Sequence, residues 1–157
     1  CSCGNTGCME TMASVRAILE EAQRRSKEIP TATSLSEVTG NLTIEQVIRA
    51  AEAGDKVAYQ VLTEAGDKFG IGLAMAVNMF GPRLVIVGGT LASPNAYLEA
   101  AKRMVRFHAL GKANSDLAIQ PSRLDHLAGA RGAASQVLNR LFSPGEKNLL
   151  NLNNSLV

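Results

Sequence analysis

The first ten residues are Cys1-Ser2-Cys3-Gly4-Asn5-Thr6-Gly7-Cys8-Met9-Glu10, a stretch that holds all three cysteines of the chain and two glycines. In the Cys-x-Cys spacing, two sulfurs lie close enough for one metal ion to bind both. The two glycines allow sharp backbone turns that return Cys8 to the same point. We call residues 1–10 the knuckle. Its pattern predicts a site at which three thiolates bind one metal ion.

Three thiolates are one ligand short of the closed tetrahedron that a structural Zn²⁺ ion requires. The next cysteine or histidine in the chain is His108, far along the sequence. We therefore expect the fourth ligand upstream of residue 1, and the chain to be a piece of a longer protein. Two alternatives stay open: a metal completed by water or by the amine of Cys1, with weaker binding, and three thiols without metal.

The composition is that of one globular domain. Of the 157 residues, 46% are hydrophobic and 19% are charged, which suffices for a sizeable core. The net charge of +2 gives no general attraction to nucleic acid or to a membrane surface. No apolar run has membrane-spanning length, so we expect no membrane partner. Three thiols clustered within eight residues argue against a disulfide framework and suit a reducing cytoplasm.

Apolar residues at steps of three and four predict an amphipathic helix over 12–27. The polar stretch 29–41 predicts an exposed, mobile loop. Thr43 and Gln46 form a capping box that opens a short helix through Ala53, and Gly54-Asp55 ends that helix and caps the next.

The longest predicted helix covers 57–80 and ends at Gly81-Pro82. Its core positions include Met75 and Met79, and its glycines Gly66, Gly70 and Gly72 allow close approach by another backbone. An all-apolar run at 84–87 predicts a strand buried on both faces. Ser93-Pro94 opens a helix to 107, a weaker strand follows at 117–120, and a last helix covers 128–142. This order predicts an α/β layered fold.

The pattern Cys-x-Cys-Gly-x-x-Gly-Cys-x-Glu, followed by Ala13-Ser14, resembles the signature of the ROK family of repressors, open reading frames and sugar kinases. The strand that ends in Gly88-Gly89 and the later Gly129–Gly132 segment lie where that family has equivalents. The resemblance implies the second lobe of an actin-like, ribonuclease-H-like two-lobed fold, truncated. We expect residues 1–143 to form this lobe and residues 144–157 to be a tail.

The resemblance also implies site residues. Cys1, Cys3 and Cys8 would be structural zinc ligands, completed by a histidine that is missing from this chain. Glu10 would bind a sugar, since a carboxylate at the exit of a metal-fixed knuckle is held rigidly toward sugar hydroxyls. The simpler alternative for Glu10 is an acidic residue that complements the dipole of the first helix.

Gly88, Gly89 and Gly132 would approach a nucleotide if the protein is a kinase. The kinases commonly have a third glycine where this chain has Thr90, and often have glycine where it has Val15. Both departures favour the repressor branch.

The resulting hypothesis is the effector-sensing and oligomerisation lobe of a sugar-responsive transcriptional repressor. It implies a sugar or amino sugar effector, a homo-oligomer (dimer or tetramer), and DNA binding only through a domain that precedes this lobe. The first alternative is the same lobe of a sugar kinase that uses ATP and Mg²⁺ to phosphorylate glucose or an N-acetylhexosamine. A second is a small zinc-knuckle interaction module, with the long apolar helices as a separate partner-binding domain. In all three, we expect the chain alone to have no enzymatic activity.

Overall fold

The computed structural model describes residues 1–111, 115–124 and 128–142, so the tail predicted at 144–157 lies outside the described residues. It contains helices and two strands, in the order α1 Met9–Ala13, α2 Val15–Glu28, α3 Ile44–Glu52, α4 Lys56–Phe80, β1 Leu84–Val87, α5 Asn95–His108, β2 Ala118–Pro121 and α6 Ala128–Phe142. Short 3₁₀ turns occupy Pro30–Ala32, Ser34–Glu37 and Thr90–Ala92. The chain divides into two compact units, residues 1–122 and 123–157. The first unit is mostly helical and mixed α/β, as predicted, and α6 belongs to the second.

The single helix predicted over 12–27 is wrong, because Ser14 divides it into α1 and α2. Ser14 has an extended backbone, with ψ of 167°. Its Oγ accepts a hydrogen bond from the Ala17 amide at 3.2 Å and so caps α2. Serine competes with the helix ladder in this way when its side chain can bond to an amide three residues ahead. The apolar periodicity continues across this break and therefore does not reveal it.

The segment predicted as an exposed loop, 29–41, is partly buried. Thr33 and Leu35 are 7% and 4% exposed. The Thr33 hydroxyl donates to Oδ2 of Asp55 at 2.8 Å, which holds the two 3₁₀ turns beside the start of α4. The predicted capping box of α3 is confirmed, since the Thr43 and Gln46 side chains each accept a hydrogen bond from the other's amide.

Helices α4 and α5 pack with their backbones close together. A Cβ atom at Gly66 would collide with the carbonyl of Tyr97, and one at Gly70 would lie 2.8 Å from Cα of Ala101. The predicted close approach is therefore confirmed at both glycines. At Gly72 the prediction is wrong, because the neighbour there is the Met9 side chain rather than a backbone.

The strands β1 and β2 form a parallel pair, with Leu84 opposite Ala118 and Val87 opposite Pro121. Val85 and Val87 pack toward α4 and α5. Successive strand side chains point to opposite faces, so Leu84 and Ile86 point away from these helices and are 51% and 63% exposed. The predicted burial on both faces is wrong, since no described residue covers that second face.

The predicted core positions Met75 and Met79 are also wrong, because these side chains are 65% and 76% exposed. They lie on the side of α4 opposite Ala74 and Val77, which are buried against α5 and the sheet. Helix α5 begins one residue later than predicted, with Pro94 as its N-cap. Across the described ranges, the helices all lack the combination of length and apolar character that crossing a membrane requires.

Candidate functional site

The knuckle turns on its two glycines. Gly4 and Gly7 have φ of 79° and 72°, a left-handed conformation that residues with a Cβ rarely adopt. The Gly4 amide donates to the Cys1 carbonyl at 3.1 Å and closes the first turn. Cys8 then stands at the N-cap position of α1. The two turns bring the three sulfurs to one point.

The cysteine Sγ atoms all lie within 4.8 Å of one another. The Cys1 and Cys3 sulfurs are 2.7 Å apart, and those of Cys3 and Cys8 are 3.4 Å apart. Two thiolates on one tetrahedral Zn²⁺ ion would be separated by about 3.8 Å, so small outward shifts of the side chains would seat an ion between them. All three thiols are free.

The donor set suits a soft metal ion, since thiolates favour Zn²⁺ over the oxygen-preferring cations. A hydrogen bond from the Asn5 backbone lowers the pKa of the Cys3 thiol, which favours the thiolate form that binds metal. In the part of the chain that the structure describes, the cluster comprises these three cysteines and no histidine. The residues present therefore fit three of the four positions of a zinc site.

Glu10 is the second residue of α1, two positions after Cys8. Its side chain is exposed. Among the described residues, none forms a hydrogen bond or ion pair with this carboxylate. The structure therefore places an unengaged carboxylate directly after the sulfur cluster, where a ligand can reach it.

The end of α1 is held by a contact that the sequence analysis missed. The Tyr97 hydroxyl of α5 donates to the Ala13 carbonyl at 3.0 Å. Tyr97 is 3% exposed and lies among the apolar residues of α5, such as Leu98 and Val105. The sequence does contain a signal for this contact, because a tyrosine lies on the apolar face of a helix and a buried tyrosine hydroxyl usually has a hydrogen-bond partner. The sequence alone does not say which carbonyl it contacts.

The predicted nucleotide glycines lie in different units. Gly88 and Gly89 follow β1, and Gly89 has φ of 88°. Among the residues that the structure describes, none would contact a Cβ added at Gly89, and the Ser122 side chain lies 4.0 Å from one added at Gly88. Their backbone is therefore open to a ligand. Gly132 lies in α6, in the second unit, with open space around it.

Two clefts that are lined by described residues lie away from these positions. One, of about 380 Å³, lies between α2 and the segment around Leu35. The other, of about 290 Å³, lies beside Tyr59 and Pro94. Neither contains Glu10 or a knuckle cysteine.

The sequence relatives of this chain include transcriptional repressors. The xylose repressor of Caldicellulosiruptor bescii is 31% identical over 145 residues, which cover 91% of this chain and 36% of that protein. The DNA-binding transcriptional repressor Mlc of Escherichia coli is 31% identical over 137 residues, which cover 85% of this chain and 32% of that protein. The chain spans about a third of the length of these relatives.

Similar solved structures include a regulator and a kinase. A ROK family transcriptional regulator homologous to E. coli Mlc matches with a TM-score of 0.76 and 30% identity, over 85% of this chain and 34% of that one. A ROK family glucokinase from Streptomyces griseus, in complex with glucose and AMPPNP, matches with a TM-score of 0.77 and 27% identity, over 87% of this chain and 46% of that one.

The ROK family model itself matches residues 1–140, from the knuckle through nearly all of α6. The resemblance seen in the knuckle thus extends over the strand, the glycine pair and the helices around them. This chain belongs to the ROK family.

Proposed function

We propose that this chain is the effector-sensing lobe of a sugar-responsive transcriptional repressor, and that it forms the second lobe of an actin-like fold. One observation carries the proposal. The knuckle brings three thiols together. Two residues after the last of them, the exposed carboxylate of Glu10 lies on helix α1, whose end is hydrogen-bonded to the buried Tyr97.

A carboxylate binds sugar hydroxyls well when its position is fixed beforehand, because little conformational freedom is then lost on binding. Glu10 meets this condition on both sides. Upstream, a zinc ion held by Cys1, Cys3, Cys8 and a histidine from outside this chain would lock the backbone turn. Downstream, α1 packs against α4. When bound, the zinc supplies a structural cross-link and takes no part in sugar chemistry.

The relatives are named as repressors, which supports the repressor branch, and their names include sugars that are candidate effectors. They include xylose repressors and an N-acetylglucosamine repressor, the latter 30% identical over 80% of this chain. We therefore propose a pentose, hexose or amino sugar as effector. DNA binding would belong to a separate domain of a longer, cytoplasmic protein, and this lobe would contribute to a homo-oligomer.

The kinase alternative also has an observation in its favour. The backbone after β1 is open at Gly88 and Gly89, and the similar glucokinase structure holds glucose and AMPPNP. In that case Gly88 and Gly89 would face ATP and Mg²⁺. The interaction-module alternative has less support, because Met9 and Ala13 of α1 contact α4 and α5, so that the knuckle and the long helices share one core.

The test is Glu10→Gln in the full-length protein that contains this chain, titrated calorimetrically with xylose, glucose and N-acetylglucosamine. We expect the parent to bind at least one of these sugars. The variant should bind it about tenfold or more weakly, since a hydrogen bond to a charged group is lost. Zinc content and unfolding midpoint should not change.

Glu45→Gln is the matched control. Glu45 is also an exposed acid at the second position of a helix, α3, so it shares any effect of the helix dipole. If both variants bind sugar like the parent, Glu10 is only a helix-terminus charge and the proposed site is wrong. If the full-length protein converts ATP and sugar to ADP and sugar phosphate, the kinase alternative replaces the repressor.

A further inference from the structure

We propose that Tyr97 is a positioning residue for Glu10: its hydroxyl fixes the end of α1 and thereby the carboxylate that α1 carries. This inference rests on the proposed function, because it assigns Tyr97 to the same sugar site.

The first step concerns α1 itself. A helix of five residues has no stability of its own in water, so its place depends on tertiary contacts. Ala13 is its last residue and is only 5% exposed. Carbonyls in the last turn of a helix lack partners within it, and the extended Ser14 prevents the ladder from continuing. The Ala13 carbonyl therefore needs an external donor.

The second step concerns the donor. Tyr97 supplies this hydrogen bond at 3.0 Å from α5. Its ring stacks on Phe69 of α4, with centroids 5.6 Å apart, and the Tyr97 carbonyl lies directly over Gly66. Burial raises the pKa of Tyr97 to about 12, so the hydroxyl remains a proton donor at every physiological pH. The donor is thus held by two helices.

The third step concerns the other end of α1. The Met9 side chain lies over Gly72 of α4, where the absence of a Cβ leaves room for the end of that side chain. Met9 and Ala13 are the first and last residues of α1, and Glu10 lies between them. Glu10 is consequently positioned by contacts from α4 and α5, as well as by the knuckle.

The experiment measures sugar affinity of the full-length protein with Tyr97→Phe, which keeps the ring and removes the hydroxyl. Titration with xylose, glucose and N-acetylglucosamine should show affinity reduced about threefold to tenfold for the sugar that the parent binds, because one hydrogen bond that restrains α1 is lost. Zinc content should match the parent. Tyr59→Phe is the control, since Tyr59 is 53% exposed and lines a cleft beside Ile48 and Pro94 that contains no residue of α1.

A double-mutant cycle separates positioning from a merely structural role. In the Glu10→Gln background, Tyr97→Phe should cause no further loss of affinity, because there is no carboxylate left to position. Equal losses in both backgrounds would overturn the proposal. If Glu10→Gln weakens binding but Tyr97→Phe does not, this inference fails while the proposed function stands. If Glu10→Gln has no effect, the proposed function fails, and this inference with it.

Hydrogen exchange gives a readout that needs no sugar. In the same full-length protein, Tyr97→Phe should speed exchange of the amides in and around α1, at residues 9–18, while amides in the middle of α4 keep the parent's rates. Unchanged exchange around α1 would overturn the proposal. Equal acceleration throughout the lobe would show that the hydroxyl contributes only to global stability.

Discussion

Asp55 uses both carboxylate oxygens to join two parts of the chain. Oδ1 accepts hydrogen bonds from the Val57 and Ala58 amides, each at 3.0 Å, and caps α4. Oδ2 accepts from the Thr33 hydroxyl and from the Ser34 amide and hydroxyl. Burial raises the pKa of Asp55, but the hydrogen bonds from Ala58, Thr33 and Ser34 outweigh burial and lower the pKa below its usual value. One ionised side chain thus sets where α4 begins and where the 3₁₀ turns dock.

Asp55→Ala should lower the free energy of unfolding by about 1–2 kcal/mol at pH 7, as for loss of a helix cap. The stabilisation by Asp55 is complete above its unfolded pKa of about 3.9. It is lost as the pH falls through the lower pKa of the folded state. Urea unfolding of parent and variant at pH 7, 5 and 3 should therefore show a difference that is constant at the two higher values and begins to shrink at pH 3.

Glu52→Gln, at an exposed position of α3, is the control for a general loss of negative charge and should leave stability nearly unchanged. An Asp55→Ala effect of the same size as this control would contradict the role assigned to Asp55.

The knuckle cysteines lead to a second prediction at the residue scale. Cys3→Ser and Cys8→Ser in the full-length protein should each release zinc, since a hydroxyl is a poor replacement for a thiolate ligand. Both should weaken sugar binding, because the backbone before Glu10 loses its anchor. Elemental analysis should find about one zinc per chain in the parent and far less in both variants. Ser2→Ala, within the same turn, should retain it, and full zinc in the cysteine variants would show that the ligands lie elsewhere.

At the scale of elements, the central contact of the core is the interface between α4 and α5. Gly66 and Gly70 lie one helical turn apart on α4, and each faces the α5 backbone. Val77 and Val105 are buried between these helices and the strands, whereas Val61 and Leu62 are buried with residues of α2 and α3. The close approach also brings Tyr97 to the point where its hydroxyl reaches α1.

Gly70→Ala should lower the free energy of unfolding by about 1–3 kcal/mol, because the added methyl would overlap the α5 backbone and force the helices apart. Gly72→Ala is the matched control on the same helix. Its new methyl would meet only the end of the flexible Met9 side chain, and alanine favours a helix. Urea unfolding should therefore show a smaller loss or a gain for Gly72→Ala. Equal losses would mean that the α5 backbone does not restrict Gly70.

At the scale of the whole chain, residues 1–122 contain the knuckle, Glu10 and the Gly88-Gly89 pair, while Gly132 lies in the second unit. Leu84, Ile86, Met75 and Met79 are apolar side chains that the described residues leave exposed on this unit. The family match and the repressor relatives extend across the same residues. In the proposed repressor, this lobe would sense the sugar, and the complete response would require the rest of the protein.

This arrangement predicts that the 157-residue chain alone neither binds operator DNA nor phosphorylates sugars. Its net charge of +2 gives little attraction for the phosphate backbone. Fluorescence anisotropy with the operator of the full-length protein should show binding by that protein and none by the chain. ATP-dependent sugar phosphorylation by the purified chain would contradict the proposed function directly.

The sequence by itself determined the features that depend on neighbouring residues. The turn glycines of the knuckle, the α3 capping box, the Asp55 cap and the end of α4 at Gly81 were all predicted, and the structure has each of them. Such signals are local because one side chain bonds to an amide two or three residues away, or because one glycine permits a positive φ. For Gly66 and Gly70, the sequence predicted close approach by another backbone but did not identify that backbone as α5.

Only the tertiary structure decided the features that join distant residues. The Tyr97 hydroxyl meets Ala13, 84 residues away, and Asp55 meets Thr33, 22 residues away. The exposure of Ile86 and Met79 likewise depends on which elements cover a strand or helix face, which apolar character alone does not specify. Periodicity indicates that a face is apolar, but the packing of other elements determines whether that face is buried. For this reason the sequence predicted Glu10 and the thiols as a site, and the structure revealed how α1 is held in place.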